Sequence, residues 1–321
     1  MRIGDAAAIA VGSWAVWGLV SLAGCGGGAD AGAQQSPDSG GGVSSPDTAD
    51  AAGAGDGGDP GAASAVPCDP DAGDVTQTCG ADQACCAGWC VDLAKDARNC
   101  GACGNACGAT QFCTSKACVE AQVASLCANA NATAVLDPYP IDNSAGSVVG
   151  AALAAACNPA VATSAEGQDG GGLLDPSTGR PLVGPGDTLL FGGGIFAQRA
   201  LQYLDSAGLT RVYYDNDGSN AWLVDRQTGA KVVTTSMALE TAHHDYFLLQ
   251  ITVEPMSGTL CFAAFGMQAP GTTAAAFYFQ SVVAANLASY TGVWYAYEWT
   301  DADGDGAPSA GDTFTMIGQG S

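Results

Sequence analysis

An acidic segment near the end of the chain has the spacing of a calcium-binding loop. Ca²⁺ takes six to eight oxygen ligands, and twelve-residue loops supply them from positions 1, 3, 5, 7, 9 and 12, with glycine at position 6. Residues 301–312 have the sequence DADGDGAPSAGD, which puts Gly306 at position 6. The predicted ligands are Asp301, Asp303, Asp305, Ala307 (through its carbonyl), Ser309 and Asp312. The alternative is an acidic hairpin turn without metal.

The two histidines of the chain, His243 and His244, are adjacent and precede Asp245. An exported hydrolase could use these three residues. However, neighbouring residues on a strand face opposite sides of a sheet, so the two imidazoles do not easily share one metal ion. The sequence also lacks the hydrolase motifs HExxH and GxSxG. We therefore predict no catalytic residue and no enzyme, with the hydrolase as the alternative.

A glycine-rich turn offers a second enzymatic alternative. Gly192–Ala197 (GGGIFA) fits the pattern GxGxxA of dinucleotide-binding turns after a strand, and Asp215 would be the ribose-binding acid. The competing interpretation is a tight turn in which glycine is needed for packing. Residues 215–218 (DNDG) could hold a second calcium ion, but this sequence favours a simple turn.

Cysteine is the most informative residue type in this chain. Of 14 cysteines, the ten between residues 68 and 118 are Cys68, Cys79, Cys85, Cys86, Cys90, Cys100, Cys103, Cys107, Cys113 and Cys118. Such density in an exported chain predicts a disulfide framework, whose pairing the sequence leaves open. Zinc binding and redox chemistry at Cys100–Cys103 (CGAC) are the alternatives. Among Cys127, Cys157 and Cys261 we predict one further pair, with a reactive thiol as the alternative.

The cysteine-rich segment resembles a known family. Residues 85–93 (CCAGWCVDL) and 96–107 (DARNCGACGNAC), followed by Cys113 and Cys118, are similar to the stigma-specific Stig1-type module, which also occurs in exported proteins of myxobacteria. The resemblance implies an extracellular, disulfide-rich interaction or spacer module without known catalysis.

The elements that would position these residues follow from local periodicity. We expect helices over 144–156, 195–207 and 273–287, and strands over 187–191, 209–214, 221–224, 246–253, 259–265, 292–299 and 313–317. The strand–helix–strand run from residue 187 to 214 predicts a βαβ-like unit, and strands 246–253 and 259–265 a hairpin. The sequence therefore favours a mixed α/β C-terminal domain.

The C-terminal domain also resembles an α/β domain of archaeal surface-layer proteins. The similarity rests on residues 189–194 (LLFGGG) with the helix that follows, and on residues 262–266 (FAAFG) and 270–276 (PGTTAAA). It implies a structural surface role.

The first residues have the features of an export signal. Arg2 precedes an apolar stretch over 6–22, and residues 22–25 (LAGC) resemble the lipobox of bacterial lipoproteins, in which the cysteine is acylated. Cys25 is therefore the predicted lipid anchor, and Gly26 after it implies sorting to the outer membrane. Residues 26–67 lack Lys, Arg and aromatic residues, which predicts a disordered tether.

Charge excludes one class of partner. With 9 Lys+Arg against 32 Asp+Glu, the formal charge is −23, so the chain cannot neutralise nucleic-acid phosphates. The predicted organisation is a signal peptide (1–24), a tether (25–67), a cysteine-rich module (68–119) and an α/β domain (120–321). We expect a non-enzymatic surface lipoprotein that is held in the membrane by its lipid, binds a protein or envelope polymer, and takes no identified small-molecule substrate.

Overall fold

The computed structural model describes residues 66–68, 79–80, 83–136, 139–157, 160–165, 172–184, 186–194, 198–237 and 243–321. These residues belong to one compact unit, Gly57–Ser321. The signal segment, Cys25 and nearly all of the tether predicted from the sequence lie outside the described residues. Within the described ranges, none of the helices has the length and hydropathy needed to span a membrane.

The cysteine-rich module contains two short hairpins. Strands β1 (Gln83–Cys86) and β2 (Trp89–Asp92) form the first, and β3 (Gln111–Thr114) and β4 (Ala117–Glu120) form the second. Both two-residue turns have positive φ at both positions, 51° and 85° at Ala87 and Gly88, and 51° and 68° at Ser115 and Lys116. This backbone is that of type I′ turns, which match the twist of the flanking strands.

The two hairpins are an internal repeat that we did not predict. CGADQAC at 79–85 corresponds to CGATQFC at 107–113, and a further cysteine follows each after four residues. The glutamine side chains are used identically, since Gln83 Oε1 accepts from the Gly80 amide at 3.1 Å and Gln111 Oε1 from the Gly108 amide at 3.0 Å. Repeated residues therefore make repeated contacts.

All ten cysteines of the module are paired. The disulfides are Cys68–Cys85 and Cys79–Cys90 in the first repeat, Cys100–Cys113 and Cys107–Cys118 in the second, and Cys86–Cys103 between them. The alternatives of zinc binding and of redox chemistry at the CGAC segment are wrong for this structure, because every thiolate is consumed and Cys100 and Cys103 have different partners. Each disulfide contributes about 2–4 kcal/mol to a module that has little apolar core.

In its described residues, the C-terminal domain is mostly β-sheet with three α-helices, so a mixed α/β description fits it only loosely. Its elements are β5 (Asn131–Leu136), α1 (Pro140–Cys157), β6 (Ala160–Ala165), β7 (Asp187–Phe191), α2 (Arg199–Ser206), β8 (Val212–Asn216), β9 (Asn220–Asp225), β10 (Lys231–Ser236), β11 (His244–Glu254), β12 (Thr259–Gly266), α3 (Ala269–Tyr278), β13 (Trp294–Thr300) and β14 (Thr313–Gly320). Seven strands form one sheet in the order β14-β13-β11-β12-β7-β5-β6. Strands β8, β9 and β10 form a separate antiparallel sheet.

The large sheet is covered on both faces. Along β11, Phe247, Leu249 and Ile251 pack on the side of α1 and α3, whereas Leu248 packs on the side of α2 and the three-stranded sheet. Strands that are buried on both faces have nearly continuous apolar sequences. Residues 247–253 (FLLQITV) of β11 are such a sequence. The result is a three-layered domain with the large sheet in the middle.

One predicted connection is wrong. The strand after α2 was expected to pair beside β7 in a βαβ-like unit, but β8 belongs to the three-stranded sheet. The parallel crossover is instead β5–α1–β6, whose strands are adjacent. The predicted hairpin is present as β11 and β12. The helix predicted over 273–287 begins earlier, at Ala269, and continues past Tyr278 as π and 3₁₀ turns to Ser289.

The end of the cysteine-rich module enters the core of the C-terminal domain. Phe112 (β3) is buried with Val123 and Leu126 against residues of α1 and the large sheet. The disulfide Cys127–Cys157 ties the 3₁₀ turn Val123–Cys127 to the end of α1. Cys261, the unpaired cysteine of the described residues, is buried in the sheet, and this burial raises the pKa of its thiol, which argues against a reactive thiol.

Candidate functional site

The acidic loop 301–312 connects two neighbouring strands of the large sheet. Strand β13 ends at Thr300, β14 begins at Thr313, and these two residues are paired across the strands. The flanking segments alternate apolar and polar residues, and the structure gives them the strand conformation that this alternation predicts. The loop is therefore a long hairpin connection at one end of the sheet.

Asp301 is the best-held carboxylate of this loop. Its side chain is fully buried, and its Oδ1 and Oδ2 accept hydrogen bonds from the amides of Gly304 and Gly306, each at 2.7 Å. His243 Nδ1 lies 2.6 Å from Oδ2. The His243 imidazole, together with the two amides, holds the pKa of Asp301 well below its ordinary value. Asp301 is thus ionised across the physiological range.

Asp301, Asp303 and Asp305 present carboxylate oxygens that all lie within 4.8 Å of one another. The amide of Asp305 lowers the pKa of Asp303, but desolvation and the carboxylates of Asp305 and Asp301 together raise it above its ordinary value. Calcium ligands stand 2.3–2.6 Å from the ion, so oxygens around one ion are at most about 5 Å apart. The three carboxylates have the spacing of ligands to a single cation.

Asp312 braces the loop instead of joining this cluster. Its Oδ1 accepts from the Ala302 amide at 3.0 Å, and its Oδ2 from the Ser309 amide at 2.8 Å and from Trp299 Nε1 at 3.1 Å. These hydrogen bonds outweigh desolvation and lower the pKa of Asp312. The structure therefore brings three of the four predicted carboxylate ligands together.

The backbone of the loop agrees with its predicted glycine requirement. Gly306, at position 6, has φ 77°, and Gly304 has φ 78°, a region that other residues adopt only with strain. The Ala307 amide donates to Asp305 Oδ1 at 2.8 Å, and Ser309 Oγ accepts from the Gly311 amide. The donor set and the turn both fit a hard cation that prefers oxygen.

The candidate hydrolase residues do not converge. His243 contacts Asp301, while His244 Nε2 lies 2.8 Å from Glu298 Oε1 on β13. Asp245 is on the opposite face of β11 from His244, because successive strand residues alternate. The three side chains therefore serve three separate contacts, and the geometry gives no support to the hydrolase alternative.

Asp245 caps a helix. It is 6% exposed, and its Oδ2 accepts from the amides of Gln268 and Gly271 at 3.0 and 2.8 Å, at the start of α3. Its Oδ1 accepts from the Tyr246 amide at 2.7 Å. Burial raises the pKa of this carboxyl, and the three amides oppose the rise in part. A carboxylate at a helix N-terminus is a stabilising arrangement that needs no catalytic role.

The glycine-rich turn is explained by packing, and the described residues give no support to the dinucleotide alternative. A Cβ at Gly192 would overlap the backbone of α1 at Gly146, and one at Gly194 would lie 3.2 Å from the Phe265 ring. Asp215 ends a strand of the other sheet, so it is not placed to bind the ribose of a nucleotide at this turn. Residues 195–197 of the pattern lie outside the described residues.

Residues 215–218 form the hairpin turn that the sequence favoured over a second calcium site. The Asp217 carboxylate accepts from the amides of Ser219 and Asn220, at 2.9 and 2.7 Å. Among the described residues, the carboxylates of this turn do not form a group with the spacing of metal ligands.

Two contacts of the loop were not predicted. His243 meets Asp301, and Trp299 meets Asp312. The contact between His243 and Asp301 follows from the register of β11 with β13, in which His244 pairs with Thr300 and the preceding histidine lies opposite Asp301. This register depends on which distant strands pair, and the sequence of either strand alone does not reveal it.

Comparison with protein families identifies the cysteine-rich segment. Residues 66–128 match the model of the stigma-specific STIG1-like protein family. Together with the five disulfides, this match shows that the chain carries a cysteine-rich Stig1-like module. A comparison with curated proteins gives no match.

Proposed function

We propose that this protein is a non-enzymatic lipoprotein of the outer membrane or cell surface, in which a disulfide-braced module and a calcium-stabilised domain bind an envelope component. The observation that carries this proposal is the complete pairing of the module's ten cysteines, which supports an oxidising compartment outside the cytosol. The match to a Stig1-like module supports an extracellular interaction or spacer role.

The contacts of the candidate acid–base groups are compatible with a binding role. Among the described residues, the candidate acid–base groups His243, His244 and Asp245 are each engaged in a separate structural contact. An adhesive or architectural protein needs rigidity more than reactive groups. Six disulfides and a sheet covered on both faces supply it.

Lipid attachment at Cys25 is tested by intact-mass spectrometry of the full chain isolated from membranes. We expect cleavage before Cys25, a mass increase from acylation, and the loss of two hydrogens for each of the six disulfides. Cys25→Ser is the matched variant, which should be exported without lipid. An unacylated product whose processing is insensitive to globomycin would contradict the localisation.

Calcium is proposed as a structural ion of loop 301–312. Extracellular loops of this type bind with Kd of roughly 10⁻⁴–10⁻³ M, so 10 mM calcium should stabilise the folded state by about 1.4–2.7 kcal/mol. For a domain of this size the melting temperature should rise by about 3–10 °C. Magnesium should have a much smaller effect, because it prefers a tighter octahedral site.

The variant Asp301→Asn with Asp305→Asn should lose the calcium-dependent increment measured by differential scanning calorimetry. The matched control is Asp215→Asn with Asp217→Asn, which makes the same change of charge in a hairpin turn. It should keep the full increment. Equal increments in both double variants would show that calcium acts by general charge screening on this acidic chain.

A further inference from the structure

The large sheet ends at β14, which pairs with β13 on one side and with no other strand in the described part of the chain. The outward N–H and C=O groups of such an edge strand can pair with another chain, and proteins usually prevent this with charged residues, proline or a bulge. Strand β14 (TFTMIGQG) has neither charge nor proline. Its bulge comes only after Met316, where the register with β13 shifts. Residues 313–316 are therefore a regular, unprotected edge.

The face of this edge that carries α3 is apolar. Phe314 stacks on Phe277 of α3, with ring centroids 5.9 Å apart, and both rings are partly exposed. Met316 lies opposite Tyr297, a residue of the core cluster on the same face, yet Met316 is 50% exposed. Thr315 lies between them in sequence and projects from the other face, where it is exposed. The edge thus combines free backbone groups with apolar side chains that a partner can cover.

Charge favours a second copy of this chain in antiparallel orientation. Two copies with a formal charge of −23 repel each other wherever acidic surfaces meet, and β14 offers a contact without charge. Parallel pairing would place the two acidic loops 301–312 side by side. Antiparallel pairing about Thr315 puts each loop three residues from the centre on opposite sides, so the loops are about 20 Å apart. This separation exceeds the Debye length of about 8 Å at physiological salt.

Glu298 is the carboxylate directly behind the centre of such a pairing. It lies opposite Thr315 on β13, and its Oε1 is 2.8 Å from His244 Nε2. The Glu298 residues of two paired copies would be three strand spacings apart, which is about 14 Å. Salt also screens this distance. Neither the loops nor Glu298 therefore opposes the contact strongly.

The sequence around Thr315 is self-complementary. With Thr315 opposite Thr315 of the second copy, Phe314 lies opposite Met316 of the second copy, and Met316 lies opposite its Phe314. Both apolar pairs are on the α3 face, because a two-fold axis perpendicular to the sheet keeps equivalent faces together. Aromatic pairs and Thr–Thr pairs across antiparallel strands each contribute about 0.2–1 kcal/mol. The two-fold symmetry forms the Phe–Met pair twice, as expected for a contact between identical surfaces.

We propose that β14 pairs with β14 of a second copy, antiparallel about Thr315, and joins two seven-stranded sheets into one continuous sheet. This dimer goes beyond the proposed envelope role and depends neither on the lipid nor on calcium. Dimerisation is attributed to the backbone groups of the uncharged edge and to the Phe314–Met316 pairs.

The first experiment is sedimentation velocity on the full chain with Cys25→Ser, which removes the predicted lipid site. We expect a dimer with Kd on the order of 10 μM, which tightens as NaCl is added because salt screens the repulsion between acidic chains. Thr315→Lys places two ammonium groups opposite each other and should weaken dimerisation roughly tenfold or more, although it reduces the negative charge of the chain. Thr163→Lys is the matched control, an exposed threonine on β6 at the other edge of the same sheet, and it should dimerise like the parent.

The second experiment tests the register by cross-linking. Residues directly opposite on antiparallel strands have Cα atoms about 4.5–5.5 Å apart, which is within the range that a disulfide spans. Thr315→Cys in the Cys25→Ser chain should therefore give, on mild oxidation, a dimer band that reductant removes from a denaturing gel. Thr313→Cys is the control, because the two copies of residue 313 would be offset by about 13 Å along the strands. Cys261 is buried and does not compete.

The proposal is overturned if the chain remains monomeric at about 100 μM, if Thr315→Lys dimerises like the parent, or if Thr313→Cys cross-links as readily as Thr315→Cys. A monomeric chain that instead binds an extended peptide at β14 also overturns it. Circular dichroism establishes that Thr315→Lys is folded, and if it is not, the two cysteine variants decide the matter. Because acylation of Cys25 is measured separately by mass, a failure to dimerise leaves the proposed function intact.

Discussion

Replacing Asp245 is the sharpest test of whether this buried carboxylate is structural. In Asp245→Ala the backbone amides of Gln268 and Gly271 lose their acceptor at the first turn of α3. The backbone amide of Tyr246 also loses its hydrogen bond to the carboxylate. An unsatisfied buried donor costs about 1–3 kcal/mol, and the bond from the Gly271 amide is buried whereas that from Gln268 is partly exposed, so the expected loss of stability is about 1–3 kcal/mol. Asp245→Asn should fall between the parent and the alanine variant, because it retains one oxygen but turns a donor toward backbone amides.

The assay is equilibrium unfolding in guanidinium chloride, followed by circular dichroism. Asp217→Ala is the matched control, because Asp217 also accepts two backbone amides but is exposed to solvent. Its loss should cost less than about 1 kcal/mol. Equal stability of the two alanine variants would contradict a structural role for Asp245. So would an Asp245→Ala variant more stable than the parent, which is common when a strained catalytic group is removed.

The same carboxyl should give a defined pH dependence. Burial raises the folded-state pKa of Asp245 above its ordinary value of 3.8, so the folded state binds the proton more tightly than the unfolded chain does. The contribution of this group to stability is therefore largest below pH 3.8 and is lost as the pH rises through the folded pKa. The stability of the parent relative to Asp245→Asn should accordingly decrease from pH 3 to pH 7, since other titrating groups cancel in the difference.

Two further substitutions test the packing at the ends of α1. Gly192→Ala should destabilise the domain by about 1–3 kcal/mol in the same unfolding assay, because its methyl group would overlap the α1 backbone. Gly184→Ala is the control, since its methyl group makes only an ordinary contact and the substitution should be nearly neutral. Removing the disulfide with Cys127→Ala and Cys157→Ala opens a link over 30 residues and should cost about 3.6 kcal/mol by chain entropy. An unchanged unfolding midpoint would mean that the bridge does not constrain the unfolded chain.

Short-range periodicity was sufficient for several elements. The strand predicted at residues 187–191 is β7 without change, and the hairpin of β11 and β12 was recognised from two apolar runs joined by a polar turn. The spacing of loop 301–312 likewise correctly placed a long turn between two strands. These features depend on residues within about ten positions of one another, where side-chain alternation and turn residues decide the structure.

Features that depend on distant partners were not predictable from one sequence. The start of α3 is an example, because Gln268 provides no side-chain cap and the capping carboxylate comes from Asp245 on β11. The sheet to which β8 belongs is another, since alternation shows that a strand has a buried face but not which neighbour covers it. His243 joined the acidic loop for the same reason, through strand register and not through proximity in sequence.

The junction between module and domain shows how these two kinds of information combine. Composition changes near residue 120, which suggested a boundary there, yet Phe112 from the module and Val123 just beyond it are buried in one cluster with the large sheet. The cysteines brace the module internally, while its last hairpin contributes apolar side chains to the neighbouring core. The junction is thereby supported from both sides, because disulfides fix the module internally and the buried sheet fixes the neighbouring core.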